Sequence, residues 1–111
     1  MGLVIDVDAL DGATLLVLRG DLDIATAPDL REALVRVIAD GARIVVDLEA
    51  VGFLDSVGLG ILVSGLKRAR AAGGELELIC TSRVVLKPLE ITGLDKVFTI
   101  HAGRDEALAA G

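Results

Sequence analysis

The chain has 111 residues, 53% of them hydrophobic, with Phe53 and Phe98 as its only aromatics and a formal net charge of −6. That length suits one domain with a real core and is short for two. The acidic balance disfavours a grip on nucleic acid phosphates, and the lack of aromatics disfavours stacking on bases, so no direct nucleic acid binding is expected and a partner with basic residues fits better.

The first segment, "LVIDVD" (3–8), puts Leu3, Ile5 and Val7 on one side and aspartates on the other, as a half-buried strand does. The N-terminus enters this pattern at once, without a basic segment or a small-residue cleavage site, so no secretory signal is expected. Asp11-Gly12 is a hairpin turn signal before a second strand, "ATLLVLRG" (13–20). In "TAPDLREALVRVIADG" (26–41), Thr26 is a possible cap with Asp29 three residues on. Leu30, Ala33, Leu34, Val37 and Ile38 then form the apolar stripe of a helix that Gly41 stops. "ARIVVDLEAV" (42–51) reads as a central strand, because Ile44, Val45 and Val46 are consecutive apolar residues.

"FLDSVGLG" (53–60) follows, with Asp55 and Ser56 at the entrance of a helix and Gly58 and Gly60 inside it. Each glycine costs the helix roughly 1 kcal/mol relative to alanine, so something other than helix stability places them. At 3.6 residues per turn, Leu59, Leu62, Val63, Leu66 and Ala69 fall on the face that packs on a sheet. The opposite face carries Val57, Gly60, Ile61 and Ser64, a small, partly apolar surface that a second protein could cover, with Gly58 and Gly60 admitting a close backbone. Either Asp55 or Ser56 serves as the N-cap, and an exposed hydroxyl at the positive end of a helix also suits a phosphate. The apolar run 57–66 is broken by glycines and falls far short of the ~20 residues of a spanning helix, so no membrane insertion is expected.

Beyond this helix, "ELELIC" (75–80) alternates as a strand. "SRVVLKPLEITGL" (82–94) is a short helix with a Ser82 start and a Gly93 stop, in which Pro88 predicts a kink or a late start. "KVFTI" (96–100) is the last strand and "GRDEALAA" (103–110) a terminal helical turn or two. The fold class is α/β: one domain over 1–111, with a mixed sheet of about five strands and about four helices.

Three segments in order, "GDLDIATAPDL", "LDSVGLG" and "EITGLDKVF", resemble the STAS domains and, within them, the bacterial anti-sigma factor antagonists, over nearly the whole chain. The resemblance implies a regulatory binding protein, not an enzyme. Its serine after the loop aspartate, here Ser56, is phosphorylated by an ATP-dependent anti-sigma factor kinase. Unphosphorylated, such a protein captures the anti-sigma factor and frees the sigma factor; phosphorylated, it lets go until a serine phosphatase restores it. Asp21 and Asp23 would border the partner-binding patch, which takes in Asp55, Val57, Gly58, Gly60, Ile61 and Ser64. Val57 stands where many relatives have a second hydroxyl residue or alanine, so the loop offers one acceptor serine. An alternative is a STAS subunit docking on a membrane transport ATPase or a signalling scaffold, with Ser56 only a cap.

Other constellations carry less. Asp21 and Asp23 also read as solvated strand-end carboxylates, Asp6, Asp8 and Asp11 lack calcium-loop spacing, and no lysine follows the glycines of "GLGILVSG" as a phosphate-binding loop requires. His101 and Cys80 are each alone of their kind and read as surface or strand residues, with no metal site and no cofactor. A single cysteine forms no intrachain disulfide, and a reduced cytoplasmic setting is the simplest reading.

Overall fold

Four consecutive apolar residues, Leu15, Leu16, Val17 and Leu18, give one strand two dry faces, and that local fact sets the layering of the molecule. The computed structural model describes residues 2–110. Its elements are β1 (Leu3–Leu10), β2 (Ala13–Leu22), α1 (Ala27–Val37), β3 (Arg43–Leu54), α2 (Ser56–Ala71), β4 (Glu75–Ile79), α3 (Arg83–Thr92), β5 (Ile100–His101) and α4 (Arg104–Ala110), with a 3-10 turn at Leu94–Lys96. The sheet runs β1-β2-β3-β4-β5; β1 is antiparallel to β2 and the other pairs are parallel. This is the five-stranded mixed sheet with four helices that the sequence predicts.

A sheet that grows in one direction through β-α-β units of one hand gathers its crossover helices on one face. The larger core fits that rule: Leu16, Leu18, Ile44, Val46, Leu76 and Leu78 point from the strands toward Leu30 and Leu34 of α1, Leu62 and Leu66 of α2, and Val85 and Leu89 of α3. The alternate strand residues Leu15, Val17, Val45 and Ile79 form a smaller core on the other face, closed by Ala107 of α4.

Several expectations need correction. β1 extends to Leu10, and Val7 is 60% exposed, because the groove it lines together with Glu32, Arg36 and Val37 of α1 is left open. Thr26 stands at the N-cap position of α1 but makes no capping bond there, its hydroxyl being turned back into the preceding loop. α3 starts at its Ser82 cap and runs through Pro88 to Gly93, with no late start. Of the segment expected as the last strand, Lys96 ends the 3-10 turn and residues 97–99 are irregular, so only Ile100, joined by His101, pairs with β4.

Candidate functional site

β2 and β3 end side by side, Leu22 opposite Leu54, and each strand opens directly into the approach to a helix. The β3 junction is organised by Asp55. Its backbone is extended, with φ −105° and ψ 179°, and its Oδ1 accepts from the Gly58 amide at 2.8 Å, so Asp55 is the N-cap and Ser56 the first residue of α2. Its other oxygen, Oδ2, accepts from the Ile24 amide at 2.9 Å, in the loop that leads to α1. One carboxylate therefore caps a helix and pins a neighbouring loop.

That loop is fastened a second time from within. Asp23 Oδ1 accepts from the amides of Ala25 at 3.0 Å and Thr26 at 3.1 Å. The buried Thr26 hydroxyl donates to the Asp21 carbonyl at 2.7 Å and accepts from the Asp23 amide at 3.0 Å. Asp23 and Thr26 thus hold the loop with its one large apolar side chain, Ile24, standing out at 70% exposure. Asp21, half-buried near the end of β2, lies opposite Phe53, which is 51% exposed.

Ser56 is exposed at the positive end of a helix of 16 residues. Asp55 satisfies the Gly58 amide and its carbonyl accepts from Leu59, which leaves the Ser56 and Val57 amides at the helix end for solvent or an anion. The strand ends, loop and first helical turn that meet at this junction carry three exposed apolar side chains, Ile24, Phe53 and Val57, and the carboxylates of Asp21, Asp23 and Asp55. The structure therefore offers an exposed hydroxyl on a small, partly apolar surface with an acidic border.

Not every predicted residue belongs to that surface. Gly58 is buried: a Cβ there would lie 2.5 Å from the Leu22 carbonyl oxygen and 2.8 Å from Leu22 Cγ. The close approach it admits is that of β2, so it presents nothing to a partner. Gly60 is open, with no atom near enough to meet an added Cβ. Ile61 and Ser64 are half-buried beside α1, so that flank of α2 is partly covered by the chain itself. Ile24 and Phe53 were not among the expected contact residues. The one signal for Ile24 was an isoleucine set among polar residues in "DIAT", and Phe53 stood at the motif's edge without a helix pattern to place it.

His101, expected at the surface or as an ordinary strand residue, is buried on the far face of the sheet, with Nε2 2.7 Å from Glu77 Oε1. Arg43 clamps the same carboxylate through Nη2 at 2.8 Å and Nε at 3.0 Å, and Nη2 also donates to the Ala107 carbonyl of α4 at 2.7 Å. The Arg43 bonds are the main reason that the Glu77 carboxyl sits below its ordinary value; His101 helps and burial opposes. Cys80 is buried as well, and burial pushes its thiol up to about 11, which keeps it unreactive. No helix among the described residues is long and apolar enough to cross a membrane.

Comparison with known proteins gives these features a context. A family model described as the STAS domain matches residues 4–107. The chain is similar to the anti-sigma-B factor antagonist of Bacillus subtilis (strain 168), 33% identical over 102 residues, which cover 92% of this chain and 94% of that one. It is likewise similar to the anti-sigma-B factor antagonist of Staphylococcus aureus (strain NCTC 8325 / PS 47), 38% identical over 87 residues, 78% of this chain and 81% of that one. Among solved structures, an anti-sigma factor antagonist from Mycobacterium paratuberculosis superposes with a TM-score of 0.88 at 35% identity, covering 97% of this chain and 92% of that one.

Proposed function

Because the chain belongs to the STAS domain family, we propose that it acts as an anti-sigma factor antagonist, a cytoplasmic regulatory protein that works as a single domain over 1–111 and not as an enzyme. Its unphosphorylated form binds an anti-sigma factor that is also a serine kinase, and the sigma factor is thereby released. The kinase transfers the γ-phosphoryl group of ATP to Ser56: the Ser56 Oγ–phosphorus bond forms, the bond to the β-phosphate oxygen breaks, ADP leaves, and the hydroxyl proton goes to a base on the kinase. A serine phosphatase hydrolyses the product and resets the protein.

Ser56 carries this reading. Its hydroxyl is exposed, beside unpaired amides at the positive end of a long helix, where added negative charge is tolerated. The same position lies amid exposed apolar side chains, where a phosphate of roughly −1.5 to −2 charge would have to be desolvated to keep a partner in place. A group that the protein tolerates and the interface does not is what a binding switch needs. The docking surface comprises Asp21, Asp23, Asp55, Val57, Gly60, Ile61 and Ser64, to which Ile24 and Phe53 are added.

The test is the intact mass of the chain after incubation with the candidate anti-sigma factor kinase and ATP. One added phosphate, absent from Ser56→Ala, is expected. Phosphate mapped to Ser64, Thr26 or Ser82 with Ser56 untouched would refute the assignment.

A further inference from the structure

The chain has eight arginines. Six have a carboxylate partner in the fold: Arg19 with Asp6, Arg36 with Glu32, Arg43 with Glu77, Arg70 with Glu75, Arg83 with Glu90 and Arg104 with Asp47. The other two, Arg31 of α1 and Arg68 of α2, have none among the described residues, and both line the same shallow groove between those helices. In a chain with 17 acidic residues against 11 basic ones, a surface arginine readily meets a carboxylate. Here the sequence withholds it. Neither arginine has an acid three or four residues away on its own helix: Arg31 has Ala27, Pro28, Leu34 and Val35 there, and Arg68 has Ser64, Gly65, Ala71 and Ala72.

The groove is continuous with the Ser56 surface. Val57, Ile61, Ser64 and Arg68 follow one another at helical spacing along a stripe of α2 that spans 12 residues, a rise of about 16 Å at 1.5 Å per step. α1 runs beside it from the Ile24 loop to Arg31 and the exposed Val35. The volume between them is about 10 Å³, no more than one water fills, so side chains can cover the groove but a small molecule has no pocket there. The combined surface is acidic at the Ser56 end, apolar along its middle and basic at the far end.

We propose that this groove is a second contact for the protein partner: an acidic segment of the anti-sigma factor lies along it and pairs its carboxylates with Arg31 and Arg68. The proposal rests on the reading of the Ser56 surface as that partner's docking face. Charges of opposite sign at the two ends admit a partner in one orientation only, which sets the register in which Ser56 meets the kinase.

The experiment measures the affinity of the purified anti-sigma factor kinase for the unphosphorylated chain at two salt concentrations. It compares the parent with R31E/R68E, with R31A/R68A, and with K87E/K96E, which changes the net charge equally at two exposed lysines outside the groove. R31E/R68E is expected to lose about thirtyfold in affinity and most of its salt dependence, R31A/R68A about fivefold, and K87E/K96E no more than about threefold. If circular dichroism shows R31E/R68E misfolded, the alanine pair decides. Parental affinity in the groove variants overturns the proposal, and if Ser56 phosphorylation still releases the partner, the Ser56 reading stands without it. A parent chain that binds no such kinase overturns both. A loss confined to self-association in sedimentation would give the groove to a second copy of the chain and overturn the proposal as well.

Discussion

At Gly58 an added methyl would press on a backbone atom, the Leu22 carbonyl oxygen 2.5 Å away, which cannot swing aside as a side-chain tip can. The gain in helix propensity from Gly58→Ala, about 1 kcal/mol, is set against about 1–3 kcal/mol of overpacking, and urea unfolding should show a net loss. Gly60→Ala meets nothing and should gain up to about 1 kcal/mol in the same measurement. Equal effects at the two positions would mean that α2 is not seated against β2 as described. Asp55 separates its two duties by substitution. Asn keeps one carbonyl oxygen for the Gly58 amide but offers an NH₂ group where Ile24 needs an acceptor. Asp55→Asn should therefore speed hydrogen exchange at Ile24 alone, while Asp55→Ala should free both amides and cost about 0.5–2 kcal/mol through the lost cap.

Among the elements, α4 is held by the least predictable contacts in the molecule. It is only seven residues long, and one buried residue, Ala107, secures it to the sheet. The rest is polar: Arg43 donates to its Ala107 carbonyl while bound to Glu77, and Arg104 reaches Asp47 at 3.3 Å. Because Glu77 is held below its ordinary value of 4.5, the folded state favours its ionised form. Its stabilising contribution is complete above that value and disappears as pH falls through the depressed one. The parent should thus lose more stability between about pH 6 and pH 3 than Glu77→Gln does. At the higher pH the variant should already be weaker by about 1–3 kcal/mol, since it leaves the half-buried Arg43 without its counter-charge. Urea unfolding at both pH values checks this, and identical pH slopes would remove Glu77 from the account. α2, by contrast, is held by apolar packing, and Leu62→Ala should cost about 2–5 kcal/mol at either pH.

For the whole molecule, the layering was legible because burial leaves a period. Alternation in "ELELIC", the unbroken "LLVL" and the stripe from Leu59 to Ala69 each state which faces are dry, and the strand-to-helix turn at Ser56 follows from where two such patterns meet. Contacts across the fold leave no period. Nothing in the sequence tells that Leu22 closes over Gly58, that a lone histidine finds Glu77, or that Ile24 is held outward by its neighbours' hydrogen bonds. This division bears on how the proposed switch works. The Glu77 network and the smaller core lie on the sheet face opposite α2, and Ser56 stands at a rim, so a phosphate there touches the loop at Ile24 and the first turn of α2 and little else. The dipole of α2 offers an exposed phosphate roughly 0.3–1 kcal/mol, and repulsion from Asp55 acts in the opposite direction. Neither is large beside a folding free energy of about 5–15 kcal/mol. Phosphorylation should leave the fold as it is, and release must come from the interface, where an unpaired charge against an apolar patch costs several kcal/mol and each 1.4 kcal/mol is tenfold in affinity. Amide NMR spectra and partner affinity of the two forms should show shifts confined to residues 23–25 and 55–60 with an affinity loss of about a hundredfold or more. Shifts spread through β4, β5 and α4 would instead mean that the phosphate acts by rearranging the sheet.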